Sequence, residues 1–97
     1  MAIERRALTE DELAAALREL PAWEVQDGKL HRELGFADFS EAWGFMSRAA
    51  LVAEKLDHHP DWSNVWATVV IDLSTHDLGG IGTLDVEFAH RVDALAG

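Results

Sequence analysis

The stretch FSEAWGFMSRAALVAEKLDHHPDWSNVWATVVIDLS, residues 39–74, predicts a long helix followed by β-structure. In its first half, apolar side chains recur every three or four residues, which is the period of one helix face. Pro60 prevents this helix from continuing. In its second half, apolar and polar residues alternate, which is typical of a strand with one buried face. The helix is expected to bury Phe39, Ala42, Trp43, Met46, Ala49, Ala50, Ala53 and Leu56, with Phe45 and Val52 beside this stripe.

The flanking segments add two further helices and a hairpin. Thr9 and Glu12 have the spacing of a capping box, which begins a helix. Asp27-Gly28 lies between two alternating segments and indicates a tight hairpin turn. The predicted elements are helices over 9–20, 39–56 and 83–95, hairpin strands over 23–27 and 29–36, and one or two strands within 62–74. In the last of these, Val65, Ala67, Val69, Ile71 and Leu73 are expected to face the core.

This order of elements favours an α+β fold. The economical arrangement is an antiparallel sheet whose one face is covered by all the helices. The other face and the sheet edges would then remain uncovered, which indicates self-association.

Composition limits the classes of function. Ninety-seven residues without cysteine predict a single domain over 1–97 that has no disulfide, thiolate metal site or cysteine nucleophile. No apolar run reaches the about 20 residues of a membrane span, and the first ten residues are too charged for a signal peptide. A cytoplasmic location is therefore expected. The net charge of −10 disfavours binding to nucleic acid. A small neutral or cationic ligand, a protein partner or a structural role remains.

Three histidines lie at element boundaries and are candidates for acid–base chemistry. His58 and His59 follow the long helix, and His76 follows the alternating segment. Imidazoles exchange protons readily near neutral pH, so two or three of them suit general acid–base catalysis. Glu54 lies four residues before His58 and shares a helix face with it if the helix extends that far.

Neighbouring residues suggest a planar substrate, and other interpretations remain open. Pro60 makes the chain rigid beside the histidine pair, while Trp62 and Trp66 offer flat surfaces for stacking on a heterocycle. An adjacent histidine pair can also be a solvated helix end. Zinc binding is disfavoured because adjacent ligands diverge and no HExxH spacing is present. His31 and His90 are expected to be surface residues.

The motif EKLDHHPDW at residues 54–62, followed by Asn64-Val65, Thr75-His76, Gly80-Ile81 and Asp85, closely resembles the pterin-4a-carbinolamine dehydratase family. The resemblance extends over about residues 8–95. It implies a four-stranded antiparallel sheet with three helices on one face, in the order αββαββα. It also implies dimers or tetramers in which strands pair across subunits. The implied reaction is dehydration of 4a-hydroxytetrahydrobiopterin to quinonoid dihydropterin, with no metal and no organic cofactor.

The resemblance also assigns site residues. The implied catalytic residues are His58, His59 and His76, the supporting residues are Glu54 and Asp85, and the expected substrate-binding residues are Pro60, Trp62 and Thr75. Our hypothesis is that His58 and His76 share the proton transfers, His59 orients the pterin, and Glu54 sets a histidine tautomer. The sequence leaves open which histidine is the acid and which is the base.

Some positions depart from the family pattern, and alternatives to this reaction remain. Trp66 and Ala67 replace a tyrosine and an asparagine, and Gly82 replaces a threonine or serine, so Thr83 is expected to take over the helix cap. The alternatives are a non-catalytic pterin-binding or assembly module on the same fold, and a dehydratase for another pterin, such as one linked to molybdenum cofactor. Animal members also bind a homeodomain transcription factor, a role that we do not extend to this chain.

Overall fold

The computed structural model describes residues 3–96, which form three α-helices and a four-stranded antiparallel sheet. The elements are α1 (Glu10–Glu19), β1 (Glu24–Gln26), β2 (Lys29–Gly35), α2 (Phe39–Leu56), β3 (Asp61–Val65), β4 (Thr68–Leu73), a short 3-10 helix (His76–Leu78) and α3 (Thr83–Ala96). This order confirms the predicted α+β fold class, αββαββα. The single-domain prediction over 1–97 includes residues 1, 2 and 97, which lie outside the described part of the chain.

The sheet has the strand order β1-β2-β4-β3, so β1 and β3 form its edges. Leu30 of β2 is opposite Leu73 of β4, and Leu34 is opposite Val69. These side chains are buried in one core together with residues of α2 and α3, while apolar residues of α1 pack against the same core. The helices therefore cover one face of the sheet. None of the helices in the described part combines the length and the apolar character that a membrane span requires.

Two predicted local signals at the start of the chain are confirmed. Thr9 accepts a hydrogen bond from the amide of Glu12, whose carboxylate accepts one from the amide of Thr9, so the capping box is complete. Asp27 and Gly28 both have positive φ, 52° and 76°, in the turn between β1 and β2. A two-residue turn of this hand matches the twist of the strands that it joins.

The buried face of α2 differs from the prediction at two aromatic residues. Its buried residues are Ala42, Phe45, Met46, Ala49 and Ala53. Phe39 and Trp43, predicted to be buried, are 52% and 58% exposed. The helix is oriented so that Phe45 packs into the core. Successive residues are rotated by about 100° around the helix axis, so Trp43, two residues earlier, lies on the solvent side. There it stacks on Phe39, with 6.5 Å between ring centroids.

The alternating segment forms two strands, β3 and β4, joined by a turn at Trp66 and Ala67. Trp66 adopts a positive φ of 51°, and the side-chain amide of Asn64 donates to the carbonyls of Trp66 and Thr68, at 3.0 Å each. Because the chain reverses there, the alternation does not continue from one strand to the other. Val65 is therefore exposed, and the prediction that it faces the core is wrong.

The start of α3 also differs from the prediction. Thr83 is the first helical residue, and its hydroxyl donates to the carbonyl of Glu4 at 2.6 Å, so it does not cap the helix. The free amide of Gly82 instead donates to the carboxylate of Asp85, at 2.7 Å. The side chain of Asp85, three residues after Gly82, therefore provides the carboxylate half of a capping box.

Candidate active site

The end of α2 turns His58 towards the interior. Asp57 adopts the left-handed conformation, with φ 51° and ψ 45°, and its amide donates to the carbonyls of Ala53 and Glu54. The amide of His58 also donates to Ala53, at 3.1 Å. This is the usual way in which a helix satisfies its last carbonyls while the chain changes direction. As a result, His58 is only 7% exposed.

Asp85 binds His58 from the first turn of α3. Its Oδ1 lies 2.5 Å from Nε2 of His58. Its Oδ2 accepts hydrogen bonds from the Thr75 hydroxyl, at 2.8 Å, and from the Gly82 amide, at 2.7 Å. Asp85 is completely buried. A buried carboxylate is stable when donors satisfy both of its oxygens, and here three donors do so. This cluster connects α2, the end of β4 and α3.

The contact with Asp85 determines which nitrogen of His58 is available. An ionised carboxylate only accepts hydrogen bonds, so Nε2 must carry a proton and donate it. Nδ1 makes no hydrogen bond within residues 3–96. Every fully buried side-chain nitrogen or oxygen in that part of the chain has a partner, so Nδ1 is not fully buried. Nδ1 therefore contacts solvent. In the neutral ring this nitrogen has a free lone pair, so His58 can accept a proton from a bound molecule.

Glu54 pairs with His59 and does not share a helix face with His58. Its Oε1 lies 2.9 Å from Nε2 of His59, and both side chains are exposed. The sequence spacing suggested an interaction with His58 on condition that the helix continued, but α2 ends at Leu56. The turn at Asp57 sends the two histidines in different directions, one inward and one to the surface.

His76 lies on the wall of an open cleft of about 320 Å³. It follows Thr75 directly, so it is adjacent in the chain to a member of the Asp85 cluster, as His59 is adjacent to His58. The cleft is lined by residues 74–76, by Gly79 and Gly80, and by Asp27, Gly28 and Lys29 of the β1–β2 turn. The sequence patterns do not indicate that the β1–β2 turn belongs to this region. The pairing of β2 with β4 brings it there, and no local pattern signals such a contact.

The aromatic candidates lie in different environments. Trp62 is partly buried against the core and is opposite Ile71. It lies two residues after Pro60, which is also partly buried and follows the histidine pair. Trp66 is exposed at the β3–β4 turn. Four residues of extended strand separate the two tryptophans by about 13 Å. Trp62 therefore lies at the end of β3 that follows the histidine pair, whereas Trp66 lies at the other end of β3.

The remaining two histidines, His31 and His90, each lie beside a carboxylate. His31 is on the polar face of β2, with Nδ1 2.8 Å from Oδ1 of Asp72, and His90 on α3 is 3.6 Å from Glu19. Neither belongs to the cluster at Asp85. Within residues 3–96, histidine and acidic side chains form no group of three or more that is arranged to hold a metal ion.

Comparison with known proteins identifies the family. A family model described as Pterin 4 alpha carbinolamine dehydratase matches residues 6–95. The chain belongs to this family. A pterin-4-alpha-carbinolamine dehydratase from Solibacter usitatus, so named, is 56% identical over 89 residues, which are 92% of this chain and 94% of the relative. A relative of the same name from Rhodopseudomonas palustris is 48% identical over 93 residues, 94% of this chain and 92% of the relative.

A crystal structure from the same family has the same fold. The Brucella melitensis protein, described as a transcriptional coactivator/pterin dehydratase, superposes with a TM-score of 0.90 at 47% identity, covering 95% of this chain and all of that one. The family resemblance inferred from the EKLDHHPDW motif is thus confirmed. Pterin-4-alpha-carbinolamine dehydratases are lyases, so the chain belongs to a family of enzymes.

Proposed function

We propose that this chain dehydrates 4a-hydroxytetrahydrobiopterin to quinonoid dihydropterin by histidine general acid–base catalysis. The observation that carries the proposal is the pairing of His58 with the buried Asp85, which leaves Nδ1 of His58 without a hydrogen bond inside residues 3–96. Family membership supports the reaction class, and the retained His59 and His76 support catalysis over binding alone.

The reaction requires two proton transfers and no redox step. The C4a–O bond breaks, the hydroxyl receives a proton and leaves as water, and N5 loses its proton as the C4a=N5 bond forms. We assign the removal of the N5 proton to Nδ1 of His58, because the donation from Nε2 to Asp85 leaves a lone pair on Nδ1. We assign protonation of the hydroxyl to His76, which is exposed on the cleft wall.

His59 has a different role in this proposal. Its Nε2 is bound by Glu54, so its tautomer and ring orientation are set by that carboxylate. The pair is exposed beside the buried His58, where it can hydrogen-bond to the polar edge of a pterin. Trp62, Pro60 and Thr75 are proposed to complete the site, with Thr75 acting through its hydrogen bond to Asp85. The charge of −10 fits a neutral ring system better than a phosphorylated one.

The test is the decay of chemically generated 4a-hydroxytetrahydropterin in a stopped-flow instrument. The wild-type chain is expected to accelerate the decay, and His58→Ala is expected to lose about 10²–10⁴-fold of kcat. His90→Ala serves as the matched control, because His90 lies outside the cluster. Full activity of His58→Ala would refute the assignment. Pterin binding without any acceleration by the wild type would instead support the non-catalytic binding module.

We also propose that the chain acts as a homodimer or homotetramer. The two edge strands, β1 and β3, are unpaired on their outer sides within the described sheet. Apolar Phe39, Trp43 and Leu51 are exposed on α2, which is a larger exposed apolar surface than an isolated residue would make. Light scattering coupled to size-exclusion chromatography tests this, and a monomer at micromolar concentration would contradict it.

A further inference from the structure

The N-terminal segment, residues 4–8, is attached to the start of α3 rather than to the sheet. It forms an isolated antiparallel bridge with Gly82, and one of its amides donates to the carbonyl of Ile81, at 3.2 Å. The carbonyl of Arg6 accepts from the amide of Thr83 at 2.9 Å, and the Thr83 hydroxyl donates to another carbonyl of the segment, at 2.6 Å. The segment therefore holds the backbone on both sides of Gly82.

Gly82 is also closely surrounded, both by the segment and by side chains that follow β4. A Cβ atom added to it would lie 3.0 Å from Cδ1 of Leu78, 3.1 Å from the carbonyl oxygen of Arg6 and 3.1 Å from the Thr75 hydroxyl. Real Cβ contacts are rarely this short. The space beside the Gly82 Cα is therefore closed by both the N-terminal segment and the hydroxyl that binds Asp85, so a side chain at this position would displace one of them.

The Gly82 amide is the link from the segment to the site. It donates to Oδ2 of Asp85 at 2.7 Å, and Oδ1 of the same buried carboxylate binds His58. A buried acceptor that loses a donor pays the full desolvation cost of that lone pair, so the carboxylate follows the amide. We propose that residues 4–8 are a positioning element for His58, acting through the Gly82 amide and the Asp85 carboxylate. This inference rests on the proposed function for its kinetic consequence.

The segment is itself anchored to α1. The Arg6 guanidinium binds both carboxylate oxygens of Glu12, at 2.7 and 2.6 Å. The same interaction, together with the hydrogen bond from the Thr9 amide, lowers the pKa of Glu12 to about 2. A two-point contact of this kind restrains orientation as well as distance. The anchor therefore makes the segment a defined part of the folded chain.

The test is a matched pair of substitutions at Thr83 in the full chain. Thr83→Val removes the hydroxyl contacts with the segment and keeps the side-chain shape, whereas Thr83→Ser keeps the hydroxyl. Thr83→Val is expected to lower kcat by about tenfold or more through misplacement of His58, with KM nearly unchanged. Thr83→Ser is expected to retain the wild-type kcat. Arg91→Gln, which removes the ion pair with Glu87 at a different part of α3, is the control and is expected to keep wild-type kcat.

A second readout does not depend on activity. Nitrogen-15 NMR of the His58 ring reports which nitrogen carries the proton, and Thr83→Val is expected to lower the fraction of the Nε2–H tautomer. Unchanged kcat and ring signals in folded Thr83→Val would overturn the proposal, and so would a loss of thermal stability with an unchanged tautomer and kcat. If Thr83→Val does not fold, Arg6→Gln is measured with the same two outcomes. If the wild type has no dehydratase activity, the proposed function fails while the tautomer measurement still decides this inference.

Discussion

Replacing Asp85 by asparagine is a nearly isosteric change that tests whether the Asp85 carboxylate controls the tautomer of His58. The carboxylate accepts from three donors: the Gly82 amide, the Thr75 hydroxyl and Nε2 of His58. An asparagine has one oxygen and one NH2 group, so it cannot accept on both sides. The Gly82 amide can only donate, whereas the Thr75 hydroxyl can rotate and His58 can change its tautomer. The asparagine oxygen is therefore expected to face Gly82 and its NH2 group to face His58.

This orientation inverts the hydrogen bond at His58. Nε2 must then accept, so the proton of the neutral ring moves to Nδ1, which loses the lone pair that the proposed proton removal uses. The opposite orientation leaves a buried donor facing the Gly82 amide, which costs about 1–3 kcal/mol. That difference keeps only a small fraction of the molecules in the active tautomer. A difference of about 1–3 kcal/mol corresponds to about 5–150-fold, so we expect kcat to fall by a factor in that range.

The assay is the stopped-flow dehydration measurement, with Asp93→Asn as the matched control. Asp93 is a second acid on α3, and it accepts hydrogen bonds from Trp23, at 2.8 Å, and from Arg32. It lies outside the site, so Asp93→Asn is expected to lower stability and to retain kcat. A folded Asp85→Asn variant whose kcat is within twofold of wild type would show that Asp85 does not control the tautomer of His58.

Three further predictions concern stability. Thr75→Val removes a donor to the buried Asp85 carboxylate and is expected to lower the free energy of unfolding by about 1–3 kcal/mol in urea titrations. Thr75→Ser keeps the hydroxyl and is expected to keep the wild-type stability. Because the pKa of Glu12 is lowered from 4.5 to about 2 by Arg6, the stability lost in Glu12→Gln is expected to be largest above pH 4.5 and to shrink as the pH falls toward 2; a difference independent of pH in acid titrations would contradict this. Phe45→Ala is expected to cost about 3–5 kcal/mol by calorimetry, because Phe45 is fully buried; a cost below about 1 kcal/mol would contradict the packing of α2.

The secondary structure was largely predictable because its signals are local. The capping box at Thr9 and the Asp27-Gly28 turn each depend on residues within a few positions, and both are present. The orientation of α2 was predicted less well. Phe45 and Trp43 are both apolar, so the pattern alone did not decide which of them faces the sheet, and packing against the core selected Phe45.

The sequence indicates a set of candidate site residues but not the contacts that they make. The motif indicated His58, His59 and Glu54, yet the spacing suggested the wrong histidine as the partner of Glu54. A single left-handed residue, Asp57, separates the inward His58 from the exposed His59. In that conformation the Asp57 amide donates to the last carbonyls of α2, which a spacing rule does not include.

By itself, the sequence determined the order of elements, the family and the residue types available for acid–base chemistry. Tertiary structure decided which atoms those residues present. His58 meets Asp85 across 27 positions of the chain, and Gly82 meets the N-terminal segment across 75. Such contacts arise only when the sheet and helices pack, because local propensity acts over a few residues whereas burial joins residues from any part of the chain. The tautomer of His58 is therefore a property of the fold.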